Sequence, residues 1–249
     1  MRRIFSLVTG LVILIALSIG LTGCIRYVGY LRERGNGDVV TQEISLNEAI
    51  KGARTQTSID ILIDPDLKDK AVLEGESNIL DLTEVKVSGG VLTVGFKPGY
   101  SIDFTHPVTL RVPEISGGLL ETTSSGSISM LGHEALKGDS FELSSSSSGS
   151  ITVAIETEKL RALALSSGSI NVTGSATTAS IDLSSSGSFN GFDCKTQTVD
   201  ADLSSSGNAN VNVSEELSGS MSSSGSIIYD GDPGKVNVSS SSSGKARAR

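Results

Sequence analysis

The chain is short of the residues that most folds use to build a core or a catalytic centre. It has no Trp, and aromatic residues make up 4% of its 249 positions. With so little aromatic volume, a core has to be assembled from aliphatic side chains used many times over. There are 5 Pro, which suits a chain that is mostly strand, since Pro cannot donate to a ladder. There are 2 His, at 106 and 133, and 2 Cys, at 24 and 194. They do not form a Cys/His cluster at zinc spacing, and they provide no disulfide framework. No Gly-x-Ser-x-Gly elbow occurs. Serines are so numerous that a Ser–His–Asp set chosen from them has no specificity. Basic residues are also in deficit, 20 Lys and Arg against 28 Asp and Glu. That balance argues against nucleic acid or anionic lipid as the main partner. The expectation is a protein that is not an enzyme and carries no cofactor or metal.

What the chain has in excess is a Ser/Gly phrase that returns at a near-constant interval. It reads Ser-Ser-Gly-Ser-Ile at Ser124–Ile128, Ser147–Ile151, Ser166–Ile170 and Ser223–Ile227. Variants occur at Ser185–Phe189, Ser205–Ala209 and Ser242–Ala246. The glycines are Gly126, Gly149, Gly168, Gly187, Gly207, Gly225 and Gly244, spaced by 23, 19, 19, 20, 18 and 19 residues. A period of this size marks a stacked repeat. Ser/Gly tracts are usually flexible linkers, but a linker has no reason to keep a register, and this sequence keeps one. Two and four residues after the Gly stand Ile151 and Val153, Ile170 and Val172, Ala209 and Val211. The residues between them are polar. That is strand alternation. Before the Gly, an apolar residue recurs at an even offset: Leu143, Leu183, Leu203, Met221 and Val238, with Leu165 the exception at three.

About 19 residues allow two or three short strands joined by tight bends. One such turn cannot bury its inner face, but stacked turns bury a continuous core. The fold class expected is therefore all-β: one single-domain parallel β-solenoid with about 19–20 residues per turn. Equivalent residues stack into ladders about 4.8 Å apart. Gly suits the bend because it tolerates backbone angles closed to other residues. The even offset predicts that Ser185, Ser205 and Ser223 point inward, each with a hydroxyl that must find a partner.

The first residues read as an address. Arg2 and Arg3 precede an uncharged apolar run from Ile4 to Gly20, followed by Leu21-Thr22-Gly23-Cys24. This resembles a bacterial lipobox, which implies cleavage after residue 23 and lipid on Cys24. Ile25 rather than Asp follows the Cys, which leans toward the outer membrane. Removing residues 1–23 takes two Arg and no acid, leaving 18 basic and 28 acidic residues and a net charge of −10. Residues 24–38 read as lipidated Cys24 and a tether. Residues 39–249 read as the solenoid, with 39–118 an atypical N-terminal part and 119–249 the repeats. Cys194 is expected as a small buried apolar residue.

Within 39–118, alternation marks Ile59, Ile61 and Ile63, then Val85 and Val87, Leu92 and Val94, and Val108, Leu110 and Val112. Gly89-Gly90 reads as a hairpin turn. Leu46–Lys51 reads as a helical turn capped by Ser45. Asp64, Asp66 and Asp69 miss the known calcium-loop spacings and read as a solvated acidic turn. Tyr100, Phe104 and His106 read as a hydrophobic cap. At the other end, Lys245, Arg247 and Arg249 fall on the outward register, where edge charges oppose end-to-end stacking.

Three segments taken in order carry a resemblance: Ser58–Ile63, then Val87-Ser88-Gly89-Gly90-Val91-Leu92-Thr93-Val94, then Val108–Gly118 leading into the Ser-Gly-Ser-Ile repeats. The chain resembles the head GIN domain proteins, also called putative auto-transporter adhesins, and the related solenoid proteins with Ser-Gly-Asp-Ile repeats. The resemblance implies a β-solenoid in the bacterial cell envelope that binds a surface, glycan or protein ligand. The alternatives are a periplasmic scaffold or envelope-stress sensor partner, with weak self-association, or a carbohydrate-active solenoid enzyme. This sequence has Ser after the Gly where the relatives have Asp, so a metal role for that Asp does not transfer. Replacing Cys24 by Ser is expected to abolish incorporation of labelled fatty acid and to free the protein from the membrane fraction, as read by phase partitioning.

Overall fold

A computed structural model describes residues 30–249. Residues 1–23, expected as a signal peptide, and Cys24 lie outside the described residues. In chain order, the strands of the N-terminal part are β1 (Leu31–Arg34), β2 (Val39–Ser45), β3 (Gly52–Thr55), β4 (Asp60–Ile63) and β5 (Lys70–Glu76). A short helix α1 (Ser77–Leu80) leads to β6 (Thr83–Ser88), β7 (Val91–Phe96), β8 (Tyr100–Asp103) and β9 (Thr109–Val112). The repeats supply β10 (Gly118–Thr122), β11 (Ser127–Met130), β12 (Leu136–Ser145), β13 (Ser150–Ala164), β14 (Ser169–Leu183) and β15 (Ser188–Leu203). They end with β16 (Asn208–Met221), β17 (Ser226–Asp230), β18 (Lys235–Ser240) and β19 (Lys245–Ala248).

From β10 onward the pairings are parallel and nearly always in register, as the period requires. Each turn has one sheet before the serine bend and one after it. After the bend, Ile61, Ile128, Ile151, Ile170, Phe189, Ala209, Ile227 and Ala246 stack in a single inward ladder. All but Ala246 are fully buried or nearly so. Each buried Ile contributes about 2 kcal/mol through area removed from water, so the ladder is one continuous part of a core that runs the length of the stack. Before the bend, a second ladder runs Thr55, Thr122, Ser145, Ala164, Leu183, Leu203, Met221 and Ser240. It changes from hydroxyl to methyl to long aliphatic along the axis and ends on Ser240, which is exposed. The buried hydroxyls find partners: Thr122 Oγ1 donates to Ser145 Oγ (3.1 Å), which donates to the Gly149 carbonyl (2.7 Å).

The second ladder resolves the anomaly at Leu165. Ala164, four residues before Gly168, takes the inward place, while Leu165 sits on the bend with 40% of its surface exposed. It also corrects the expectation for the serines. Ser185, Ser205 and Ser223 do not point inward; they are exposed on the bend. Among the described residues, they and Ser147 and Ser166 are the non-glycine residues with left-handed backbone, at φ between 57° and 67°. Gly187 N–H donates to the Ser184 carbonyl (3.0 Å) across Ser185 and Ser186, with positive φ at the first of these two only, the φ signature of a type II′ turn. The repeat glycines are not there for positive φ. A Cβ on Gly187 would lie 2.1 Å from the Ala164 carbonyl oxygen of the preceding turn. Gly is required because the bend folds its backbone against the neighbouring rung.

The N-terminal part departs from simple stacking. β3 and β4 form a turn held between two others: β10 and β11 on one side, β7 and β9 on the other, all parallel to it. The chain therefore lays down an inner turn first, then an outer one, then crosses to the repeats. The return is made by antiparallel pairings of β2 with β5, β5 with β9 and β6 with β7. Gly89 and Gly90 both have positive φ, at 60° and 79°, and close the expected two-residue hairpin. Leu46–Lys51 is not helical; the helical turn is α1 instead. Ser45 ends β2, and the Leu46 N–H bonds to the Asp69 carbonyl (2.9 Å), which holds that segment to the neighbouring loop. Part of the expected tether is folded as well. β1 pairs with β8, the Gly35 N–H bonds to the Asp103 carbonyl (3.0 Å), and Asn36 Nδ2 donates to Ser77 Oγ (2.8 Å).

These two roles separate by mutation. Gly187→Ala is expected to lower stability by about 1–3 kcal/mol through overpacking. Ser185→Gly removes left-handed strain of about 1–2 kcal/mol and adds chain entropy of about 0.5–1 kcal/mol, so stability holds or rises slightly. Urea unfolding of the two variants checks both signs.

Candidate functional site

The outward residues are as ordered as the core, because each strand that buries one residue presents the next. On the sheet after the bend, Ser127, Ser150, Ser169, Ser188, Asn208 and Ser226 form one outward ladder, and Thr152, Asn171, Asn190 and Asn210 form another. Rungs lie about 4.8 Å apart. The result is a flat field of hydroxyls and amides.

The sheet before the bend carries charge. One outward ladder reads Glu142, Arg161, Ser180, Asp200, Ser218; a second reads Leu163, Asp182, Asp202, Ser220. Asp182 and Asp202 are direct neighbours, and each has a local partner. Arg161 Nη2 donates to Asp182 Oδ2 (3.0 Å), while the Ser220 N–H and Oγ donate to Asp202 Oδ1 (2.9 and 2.6 Å). Ser218 Oγ donates to Asp200 Oδ1 (2.9 Å). At the edge of this sheet a corner ladder runs Ser140, Lys159, Thr178, Thr198, Glu216. An open groove of about 870 Å³ lies between the corner ladder and the Glu142 ladder. The alternation Lys159-Leu160-Arg161 encodes the two cations of this groove, and strand register applied to the charges would have found them.

The charged centre of the cap is Glu76, which composition gave no reason to single out. Its side chain is fully buried. It accepts from the Gly37 N–H (2.7 Å), the Thr105 N–H (2.8 Å) and Thr105 Oγ1 (2.8 Å). Burial works to raise this carboxyl, but the bonds from Thr105, Gly37 and His106 outweigh it and hold it at about 2. Glu76 therefore ties the segment before β2 to the loop after β8. His106 lies 3.9 Å from it and is mostly exposed. Of the residues expected as a hydrophobic cap, Phe104 packs against the core and against Phe96, with ring centroids 6.4 Å apart, whereas His106 is exposed.

The remaining candidates are structural. Asp64 is not solvated: it is buried, accepts from the Asp66 N–H (3.1 Å) and faces Arg111 Nη1 (3.5 Å). Cys194 is buried in the core, and burial pushes its thiol up to about 11. Among the described residues, no three His, Cys, Asp or Glu side chains are grouped to hold a metal. The repeat glycines lie under the bends and present no side chain.

A family model described as "Putative auto-transporter adhesin, head GIN domain" matches residues 51–233. The chain belongs to the head GIN domain family. The family's description as an auto-transporter adhesin suggests a protein of the cell surface or envelope. Solved structures share the fold. A putative adhesin from Bacteroides fragilis NCTC 9343 is 18% identical, with 87% of this chain and 100% of that one covered at a TM-score of 0.78. A putative lipid binding protein from Parabacteroides distasonis ATCC 8503 is 23% identical over 88% of this chain and 99% of its own, at 0.63. A putative adhesin from Parabacteroides merdae ATCC 43184 is 17% identical over the same shares, 88% and 99%, at 0.63. No curated protein matches the sequence.

The Glu76 carboxyl predicts an acid dependence of known sign. Its folded value lies below the ordinary 4.5, so its stabilisation is complete above about pH 4.5 and is lost as pH falls toward 2. Glu76→Gln is expected to be less stable than the wild type at neutral pH. The gap should close between pH 4.5 and 2, as read by thermal unfolding across that range.

Proposed function

We propose that this head GIN domain protein is a lipid-anchored binding solenoid of the bacterial envelope, fixed to the membrane through Cys24 and acting by adhesion rather than catalysis. The observation that carries this reading is the outward order of the repeats. Side chains of one type recur rung after rung on rigid, parallel-paired strands. Their positions are fixed on folding, so a repetitive ligand gains many weak hydrogen bonds without ordering the protein surface again. The lipobox-like Leu21-Thr22-Gly23-Cys24 supports the anchor, and family membership supports the adhesin-like role. The outward carboxylates Asp182, Asp200 and Asp202 are each engaged by Arg161 or a serine. A pair poised for acid–base work on a glycosidic bond needs free carboxyls across the bond.

A test is access in intact cells. The solenoid itself offers few sites to a protease, so a cleavable tag after Arg249 is the reporter, beside a periplasmic protein with the same tag. Surface adhesion predicts loss of the solenoid's tag while the control survives, together with reduced attachment of cells lacking the gene. Protection of both tags until the envelope is opened overturns adhesion and leaves a periplasmic scaffold.

A further inference from the structure

We infer that the groove on the sheet before the bend is a binding site for a linear glycan, with an acidic sugar seated at Lys159 and Arg161. This names a site and a ligand class for the binding function proposed above, and it rests on that reading. The groove spans six rungs, from Gly118 and Leu119 to Glu216 and Ser218, or roughly 24 Å at the inter-strand spacing. At about 870 Å³ it has the room for a short oligosaccharide.

Its chemistry favours sugar over other polymers. An extended peptide binds a sheet by adding a strand, which needs free backbone groups. Here the floor strands β12 to β16 already pair on both sides, so no edge is offered. The apolar part of the lining gives a folded protein partner no projecting aromatic anchor: Leu119 is half-buried at one end, and the other apolar residues form the floor. Phe141, Leu160, Ala179 and Val199 beneath it are buried in the core. What the groove offers is hydroxyls that both donate and accept, on Thr178, Ser180 and Thr198, and carboxylates that accept from sugar hydroxyls, on Glu142 and Asp200. Nucleic acid and other dense polyanions are opposed by the protein's net charge of −8.

The acidic sugar is placed by charge. Lys159 and Arg161 stand two residues apart on β13 and face the same side. Arg161 shares its guanidinium with Asp182 through Nη2. Lys159 is exposed and makes no ion pair among the described residues. A carboxylate bound there gains a charge-assisted bond from Lys159 and lies beside the remaining donors of Arg161. One rung on, Thr178 and Ser180 are neutral, and beyond them Thr198 and Asp200 turn the groove acidic. The groove thus fits one carboxylate followed by uncharged sugar residues better than a run of carboxylates.

The test uses isothermal titration of the mature protein with oligosaccharides of matched length. The probes are a mixed chain with one uronic acid, an all-uronate chain and a neutral chain, with an extended acidic peptide as a fourth. The mixed chain is expected to bind most tightly. Lys159→Ala and Arg161→Ala should each weaken it by roughly tenfold, while Lys195→Ala, on a different corner, leaves it unchanged. Circular dichroism confirms that the variants fold. Binding of none of the glycans, binding insensitive to Lys159 and Arg161, or preference for the peptide would overturn the assignment. Cell attachment that persists in Lys159→Ala cells, with no glycan bound, sinks the groove while leaving the adhesive function standing.

Discussion

Parallel strands in register set each residue directly over its own equivalent in the next turn, and that single constraint shapes most of this protein. It rewards repetition where contact is favourable, so Ile stacks on Ile through Ile128, Ile151 and Ile170. It penalises repetition where contact is unfavourable. Asp182 over Asp202 is a like-charge pair, tolerated because Arg161 and Ser220 bond to the two carboxylates. The same constraint explains the glycines. The bend brings its backbone against the preceding rung, and no Cβ fits between them at Gly168 or Gly187. Even the bends are joined by hydrogen bonds, as the Ser186 N–H bonds to the Ser166 carbonyl (2.8 Å) and the Ser206 N–H to the Ser185 carbonyl (2.8 Å).

Order on the inside imposes order on the outside. A residue cannot drift from the outward face without moving its neighbour out of the core. The polar ladders are therefore a stiff surface whose conformational entropy was given up on folding, which is the property a weak, repetitive binder needs. The core also shows how a solenoid tolerates change along its length. The second inward ladder passes from Thr122 and Ser145 through Ala164 to Leu183 and Leu203. The hydroxyl turns satisfy themselves through Gly149 and its neighbours, and the aliphatic turns gain area instead.

The period and the alternation of the repeats were legible in the sequence because both follow from side-chain polarity, which composition displays. Backbone conformation was harder to read. Ser and Gly stand together at each bend, and the general preference of Gly for positive φ assigned it the wrong role. The left-handed residue is the Ser two places earlier, and the Gly answers to crowding from another turn, which no local rule sees. Leu165 looked like a break in register because Ala164 is small enough to be overlooked as a core residue. The order of the first turns was hidden for a topological reason: β3 and β4 belong to the atypical N-terminal part and become an inner turn only through long-range pairing with β10 and β11. Glu76 was hidden because its partners, Gly37 and Thr105, lie far away along the chain. The groove was half legible, since Lys159 and Arg161 follow strand register and only its width needed the structure.

The central claim is that the serine bends are hydrogen-bonded rungs rather than flexible connectors. Residue-resolved amide hydrogen exchange tests it most directly. The account predicts that Ser167, Ser186 and Ser206, whose N–H groups bond to the preceding turn, exchange as slowly as neighbouring strand residues such as Ile170 and Ile181. Fast exchange at these serines, with protection confined to the strands between them, would contradict it.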